Sequence, residues 1–270
     1  MMNSKESAEQ LFHFTGEYKN IVSIMNNKFK PFFCVEDLSF MYDISKNVIF
    51  AFPMVCFCDI PLKRNSVHKA NYGEYGIGLT KEWGIRNNLN IVNYSFKESF
   101  KSTSYRVLVN YYIEKCKDLK EDLNHNFRNA FSILLMTSKP YEGKKFDKTE
   151  RKWKDINVRF YDEREWRFLP IVDKLKWSIS LKDFSGDYEA FLNAIEKEQT
   201  KIQAKYTLDF TVNDINYIFL KNRSEKEIFL NDISDNYNET DLKRIQSLIY
   251  FKKMQNQKNE YQPLICVKSH

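Results

Sequence analysis

The residues best suited to chemistry fall within one run, Tyr161-Asp162-Glu163-Arg164-Glu165-Trp166-Arg167-Phe168-Leu169-Pro170. Two carboxylates stand two positions apart, with an arginine two further on. On a β-strand, residues i and i+2 share a face, so Glu163, Glu165 and Arg167 would line one side and Arg164, Trp166 and Phe168 the other. On a helix the two glutamates would diverge by about 200°. Trp166, Phe168, Ile171 and Val172 suit a pleated surface, and Pro170 opposes a helix interior, so the reading is a strand. Paired like charges raise one pKa, which suits a general base. The other carboxylate could stabilise a developing positive charge, and Arg167 could pair with a glutamate or grip a diphosphate. The plain alternative is a solvated edge strand with a structural Glu165–Arg167 ion pair.

Three upstream segments would have to position partners for these groups. His13 and Thr15 share one face of a predicted strand over 11–15, directly before a helix over 18–27 marked by Ile21, Ile24 and Met25 at helical spacing. Two apolar runs at 48–52 and 54–58, divided by Pro53, read as buried strands ending in Asp59-Ile60-Pro61. Cys56 and Cys58 read as buried strand residues, and Asp59 as a cap for a helix after Pro61. His68 and Tyr72 are four apart on a short predicted helix, and 75–79 is a strand whose Gly76 and Gly78 allow close backbone approach.

The remaining pattern predicts a helix from Thr80 through Trp83 to Arg86 and a strand over 90–96. It then predicts helices across 97–139, with Tyr105, Leu108, Val109, Tyr112 and Ile113 as a core stripe. Residues 139–154 form a basic, aromatic-bearing turn and loop, able to meet nucleic acid or simply solvated. Strands are expected at 176–181, 207–212 and 215–220, and helices at 188–204 and 241–254. Ser224 to Glu227 carries a capping-box signature for a further helix.

With 270 residues, 43% of them hydrophobic, the chain can bury a sizeable core, and 7 Gly and 6 Pro leave no flexible low-complexity linker. One domain over 1–270 is expected, with a core at 10–174 and 175–270 packed on it as an extension. The net charge of +6 permits an anionic partner without requiring one. Five cysteines without a secretory signal point to reduced thiols and a cytoplasmic location. Cys56 and Cys58 lack a second ligand pair, so no metal is expected, and no run of ~20 apolar residues could cross a membrane.

Taken together, His13-Phe14-Thr15, Cys56-Phe57-Cys58-Asp59-Ile60-Pro61, the stretch from His68 through Tyr72 to Gly78, and Glu163-Arg164-Glu165-Trp166-Arg167 resemble the AbiGi family of abortive phage-resistance proteins over residues 10–172. Nothing after 174 is recognisable. That group in turn looks like a divergent branch of the DarT-type ADP-ribosyltransferases. The second resemblance implies an α+β fold, with a split mixed or antiparallel sheet and peripheral helices around an NAD cleft. It also implies that His13, Thr15, Tyr72 or Tyr75, and Arg167 bind NAD, with Glu165 and Glu163 catalytic. Cleavage of the nicotinamide–ribose bond passes through an oxocarbenium-like state that a carboxylate can stabilise.

Two functions are therefore expected to compete. One is an NAD-using toxin modifying nucleic acid or protein, with an NAD glycohydrolase as its variant. The other is a non-catalytic antitoxin or partner-binding component of a defence system. The second predicts a filled site and an exposed apolar patch, expected on the C-terminal helices.

Overall fold

The computed structural model describes residues 9–42, 48–61, 73–115, 121–147, 150–170 and 178–251. Its elements in chain order are β1 (Gln10–Thr15), α1 (Tyr18–Asn27), β2 (Phe32–Asp37), α2 (Ser39–Tyr42), β3 (Ile49–Cys58), β4 (Tyr75–Thr80), α3 (Lys81–Arg86), β5 (Asn90–Ile91), β6 (Asn93–Ser95), α4 (Phe100–Lys115), α5 (Glu121–Met136), β7 (Ser138–Pro140), β8 (Gly143–Asp147), β9 (Lys152–Val158), β10 (Glu165–Phe168), β11 (Ile179–Ser180), α6 (Tyr188–Lys205), β12 (Ile215–Leu220), α7 (Glu225–Ile233), α8 (Glu239–Ser247) and β13 (Ile249–Phe251). The architecture is α+β with mixed strand pairing. The chain divides into two compact units, one of residues 1–30, 56–89 and 207–270, the other of residues 31–55 and 90–206.

In the first unit, β1 pairs antiparallel with β4 and, through Phe12 opposite Cys58, with the end of β3. Strand β4 pairs antiparallel with β12, and β12 parallel with β13. The glycines of β4 have a steric cause. Phe12 lies opposite Gly78 and Phe14 opposite Gly76. A Cβ on either glycine would come within 2.6 Å of the facing phenylalanine ring. The two rings join Cys58, Ile60 and Phe219 in one core cluster. Helix α1 buries Asn20, Ile21, Ile24 and Met25, and Thr80 caps α3 by accepting from the Trp83 N–H.

Three expectations fail here. Residues 207–212 form no strand: Leu208 makes a single bridge to Phe29, and a 3-10 turn occupies Val212–Asp214. Ser224 makes no side-chain cap, because it already has helical backbone angles. The carboxylate of Glu225 instead accepts from the backbone N–H groups of Lys221 and Asn222. The predicted helix over 241–254 runs from Glu239 to Ser247, and β13 comes directly after it.

In the second unit, β3 is one continuous strand through Pro53 rather than two runs. It is paired antiparallel with β2 from Ile49 to Met54 and with β11 at Phe50 and Ala51. Proline removes only one ladder donor, and the flanking pairs hold the strand. Segment 90–96 divides into β5 and β6, paired with β10 and β7 respectively. The predicted turn and loop at 139–154 is mostly sheet, because β8 and β9 form an antiparallel hairpin with a bulge. Its lysines are largely matched by its own carboxylates, as in Lys144–Asp155 and Lys154–Asp147, both at 2.6 Å. Of the expected 176–181 strand, residues 176 and 177 lie outside the described residues; Ile179 and Ser180 form β11, and a 3-10 turn starts at Leu181. Helix α6 runs from Tyr188 to Lys205, and Phe191 and Ile202 anchor it against Phe33, Ile49 and Ala51.

Candidate functional site

The carboxylate pair belongs to the second unit, and its two members reach the same place by different local structures. Glu163 ends a 3-10 turn over Phe160–Glu163, Arg164 takes a left-handed conformation at φ 43°, and the strand begins only at Glu165. Contrary to the expectation from spacing, Glu163 is therefore not on the same strand as Glu165 and Arg167. Within β10 the alternation holds: Glu165 and Arg167 are buried, Trp166 and Phe168 half-buried.

The turn brings both glutamates to one ammonium. Lys139, on β7, donates to Glu163 Oε2 at 2.7 Å and to Glu165 Oε2 at 3.1 Å. Arg167 donates to Glu165 Oε2 at 3.0 Å, to Glu36 Oε1 on β2 at 2.8 Å and to the Met136 carbonyl at 2.6 Å. The Tyr94 hydroxyl accepts from the Glu165 backbone N–H at 2.9 Å. All five charged groups are buried, Arg167 completely. Three carboxylates thus face two cations in one buried network. Burial alone would lower the Lys139 pKa, but the attraction of Glu163, Glu165 and Glu36 outweighs it and holds the amine well above its ordinary value. Burial, reinforced by the Glu165 charge, pushes the Tyr94 phenol up. Lys139 also lies 4.5 Å over the Phe160 ring.

Such a network can fix three strands and a turn in register, because breaking one member leaves a buried charge uncompensated. Sequence reasoning missed Lys139 and Glu36. Both stand far along the chain from the motif, and neither carries a local signal.

His13, Thr15 and Tyr75 belong to the first unit. The imidazole Nδ1–H of His13 donates to the Cys56 carbonyl at 2.8 Å, and the ring packs against Phe29 and Phe57. A carbonyl only accepts, so this contact fixes the Nδ1–H tautomer. Thr15, fully buried, accepts from the Asn20 side-chain amide at 2.7 Å. Tyr75 lies opposite Thr15 and donates to Glu225 Oε1 at 2.9 Å. Burial, then the Glu225 hydrogen bond, pushes its phenol up. Tyr72 and His68 lie outside the described residues. Asp59 pairs with Lys81 at 2.7 Å, and Cys56 and Cys58 are buried free thiols. Among the described residues no group of three or more His, Cys, Asp or Glu is placed to hold a metal. No described helix is long and apolar enough to cross a membrane.

The surface of the second unit is less closed. Helix α4 buries Ser102 and Val109 but turns Phe100, Val107, Leu108 and Tyr111 to solvent, Phe100 being 94% exposed. These positions are at helical spacing, so they form an apolar stripe on its outer side. Leu108, expected in the core, belongs to this stripe.

The profile of one protein family, described as "Putative abortive phage resistance protein AbiGi, antitoxin", matches residues 27–221. An abortive phage resistance protein AbiGi from Lactococcus lactis subsp. cremoris is 30% identical over 200 residues, covering 65% of this chain and 74% of that protein. The family match begins beyond His13 and Thr15 and runs through the region after 174, where the sequence alone carried no recognisable motif. No solved structure matches the chain.

Proposed function

The chain belongs to the AbiGi family of abortive phage-resistance proteins, and from that premise we propose that it is the antitoxin of a phage-defence pair, acting by binding a protein toxin rather than by catalysis. The observation that carries this reading is the apolar stripe of Phe100, Val107, Leu108 and Tyr111 on α4. Solvent-facing apolar residues at helical spacing mark a surface meant to be covered. The word antitoxin in the family description supports a toxin as the occupant proposed here. The closed state of the glutamate pair agrees with it, since Glu163 and Glu165 already accept from Lys139 and Arg167. The test is co-elution of the purified chain with the toxin of its system. The wild type should bind, and a Val107→Lys/Leu108→Lys double variant should not.

A second reading keeps the two glutamates catalytic, with NAD as substrate on an ADP-ribosyltransferase-like fold and nucleic acid or protein as acceptor. The convergence of Glu163 and Glu165 on one cation favours it. It requires Glu165 to exchange the Lys139 and Arg167 hydrogen bonds for a ribose hydroxyl. Release of nicotinamide from labelled NAD, abolished in Glu165→Gln, would establish this reading in place of the first.

A further inference from the structure

The second unit holds a cleft of about 390 Å³ that neither reading uses, lined among others by Asp37, Phe40, Lys97, Glu142, Trp153 and Tyr188. It is built against the buried ion network through chain alternation. Glu36 on β2 turns to Arg167 while the next residue, Asp37, lines the cleft. Lys139 on β7 turns to the glutamates while Pro140 lines the cleft. The ion network therefore fixes two of the strands that shape this wall.

The lining has three kinds of group. Its aromatic wall is held in place, because the Trp153 indole N–H donates to the Tyr188 hydroxyl at 3.0 Å and both rings pack on Phe146. Its anionic side is Asp37 and Glu142. The Asp37 carboxylate already accepts from the Ser39 backbone N–H at 2.9 Å, which orients it. Its cationic side is Lys97, exposed and without an ion pair among the described residues, and Lys144, paired with Asp155. The volume falls within the ~300–1,000 Å³ of small-molecule sites.

We propose that this cleft binds a nucleoside phosphate, with the base against the Trp153 and Tyr188 wall, its amino or ring N–H edge toward Asp37 and Glu142, and the phosphate on Lys97. A flat ring with donors at one end and an anion at the other is the ligand class that uses all three sides at once. A free nucleotide and the 5′-phosphorylated end of a single strand share this chemistry. The site does not depend on the antitoxin reading.

Adenosine 5′-monophosphate is titrated into the full chain by calorimetry, beside adenosine and two short single strands, one 5′-phosphorylated and one with a free 5′-hydroxyl. Saturable binding of the monophosphate is expected, weakened about tenfold or more in Lys97→Ala and in adenosine. Lys97 is exposed, so this variant should retain the fold. Comparable binding of only the phosphorylated strand would assign the site to strand ends, and binding of the monophosphate alone to free nucleotides. Absence of saturable binding by every probe overturns the proposal, as does binding indifferent to both Lys97→Ala and Trp153→Leu.

Discussion

Lys139 Nζ and Glu163 Oε2 meet at 2.7 Å although the residues come from a β-strand and a 3-10 turn 24 positions apart. The pair lies within a cluster of three carboxylates and two cations, so the cluster is already short of positive charge. Removing Lys139 worsens that imbalance, whereas neutralising one glutamate relieves it.

Lys139→Met should therefore cost more than neutralising a glutamate of the network, about 3–5 kcal/mol. Glu165→Gln leaves two carboxylates against two cations and keeps an acceptor for Lys139, so it should cost clearly less. Urea denaturation at pH 7 of the two variants checks the order. The pH dependence has a defined sign. The Lys139 pKa is raised on folding, so its stabilisation is fully present below the unfolded lysine value and disappears only as pH climbs through the higher folded value. The wild-type advantage over Lys139→Met should hold from neutral pH to about pH 10 and fall only above that.

Asp214 provides the opposite sign. Its carboxylate accepts from the Thr211 N–H at 2.8 Å and hydroxyl at 2.9 Å, and pairs with Arg86 at 2.6 Å. Burial raises its pKa, but the Thr211 and Arg86 hydrogen bonds outweigh burial and the net shift is downward. A depressed carboxylate contributes stability above its unfolded pKa and loses it as pH falls through the folded value. Asp214→Asn should cost about 1 kcal/mol or more at pH 7, and the gap to wild type should shrink below about pH 4. A gap that is constant from pH 7 to pH 3 would assign the loss to shape rather than charge.

Gly78→Ala should destabilise by about 1–3 kcal/mol through overpacking, since the added Cβ would meet the Phe12 ring at 2.6 Å and Tyr217 Cβ at 3.1 Å. Adding Phe12→Leu should recover part of that loss. Thermal unfolding of the single and double variants measures the coupling.

The range of each signal decided how much was legible in the sequence. Periodicity placed β1, α1, β4 and the Glu165–Arg167 alternation because these depend on neighbours a few residues away. Gly76 and Gly78 announced a close approach, and Phe14 and Phe12 supply it. Lys139 was illegible because a buried lysine looks like a solvated one until its carboxylates arrive from elsewhere in the fold. The Arg164 turn was missed because a non-glycine residue at φ 43° has no sequence marker. Leu108 was misplaced because helical spacing predicts an apolar stripe but not whether the fold covers it. The Ser224 signature misled because Ser224 itself takes helical backbone angles, which a capping residue does not.

The outer face of α4 is the ground of the antitoxin reading, and viability on co-expression with the toxin of the defence system tests it most directly. Val107→Lys/Leu108→Lys should fold like wild type, since exposed substitutions of this kind change stability by about 0.5 kcal/mol or less each. The account predicts that wild type and Glu165→Gln both restore growth and that the folded α4 double variant does not. Growth restored by the double variant but lost in Glu165→Gln would contradict it and place the function in the carboxylates.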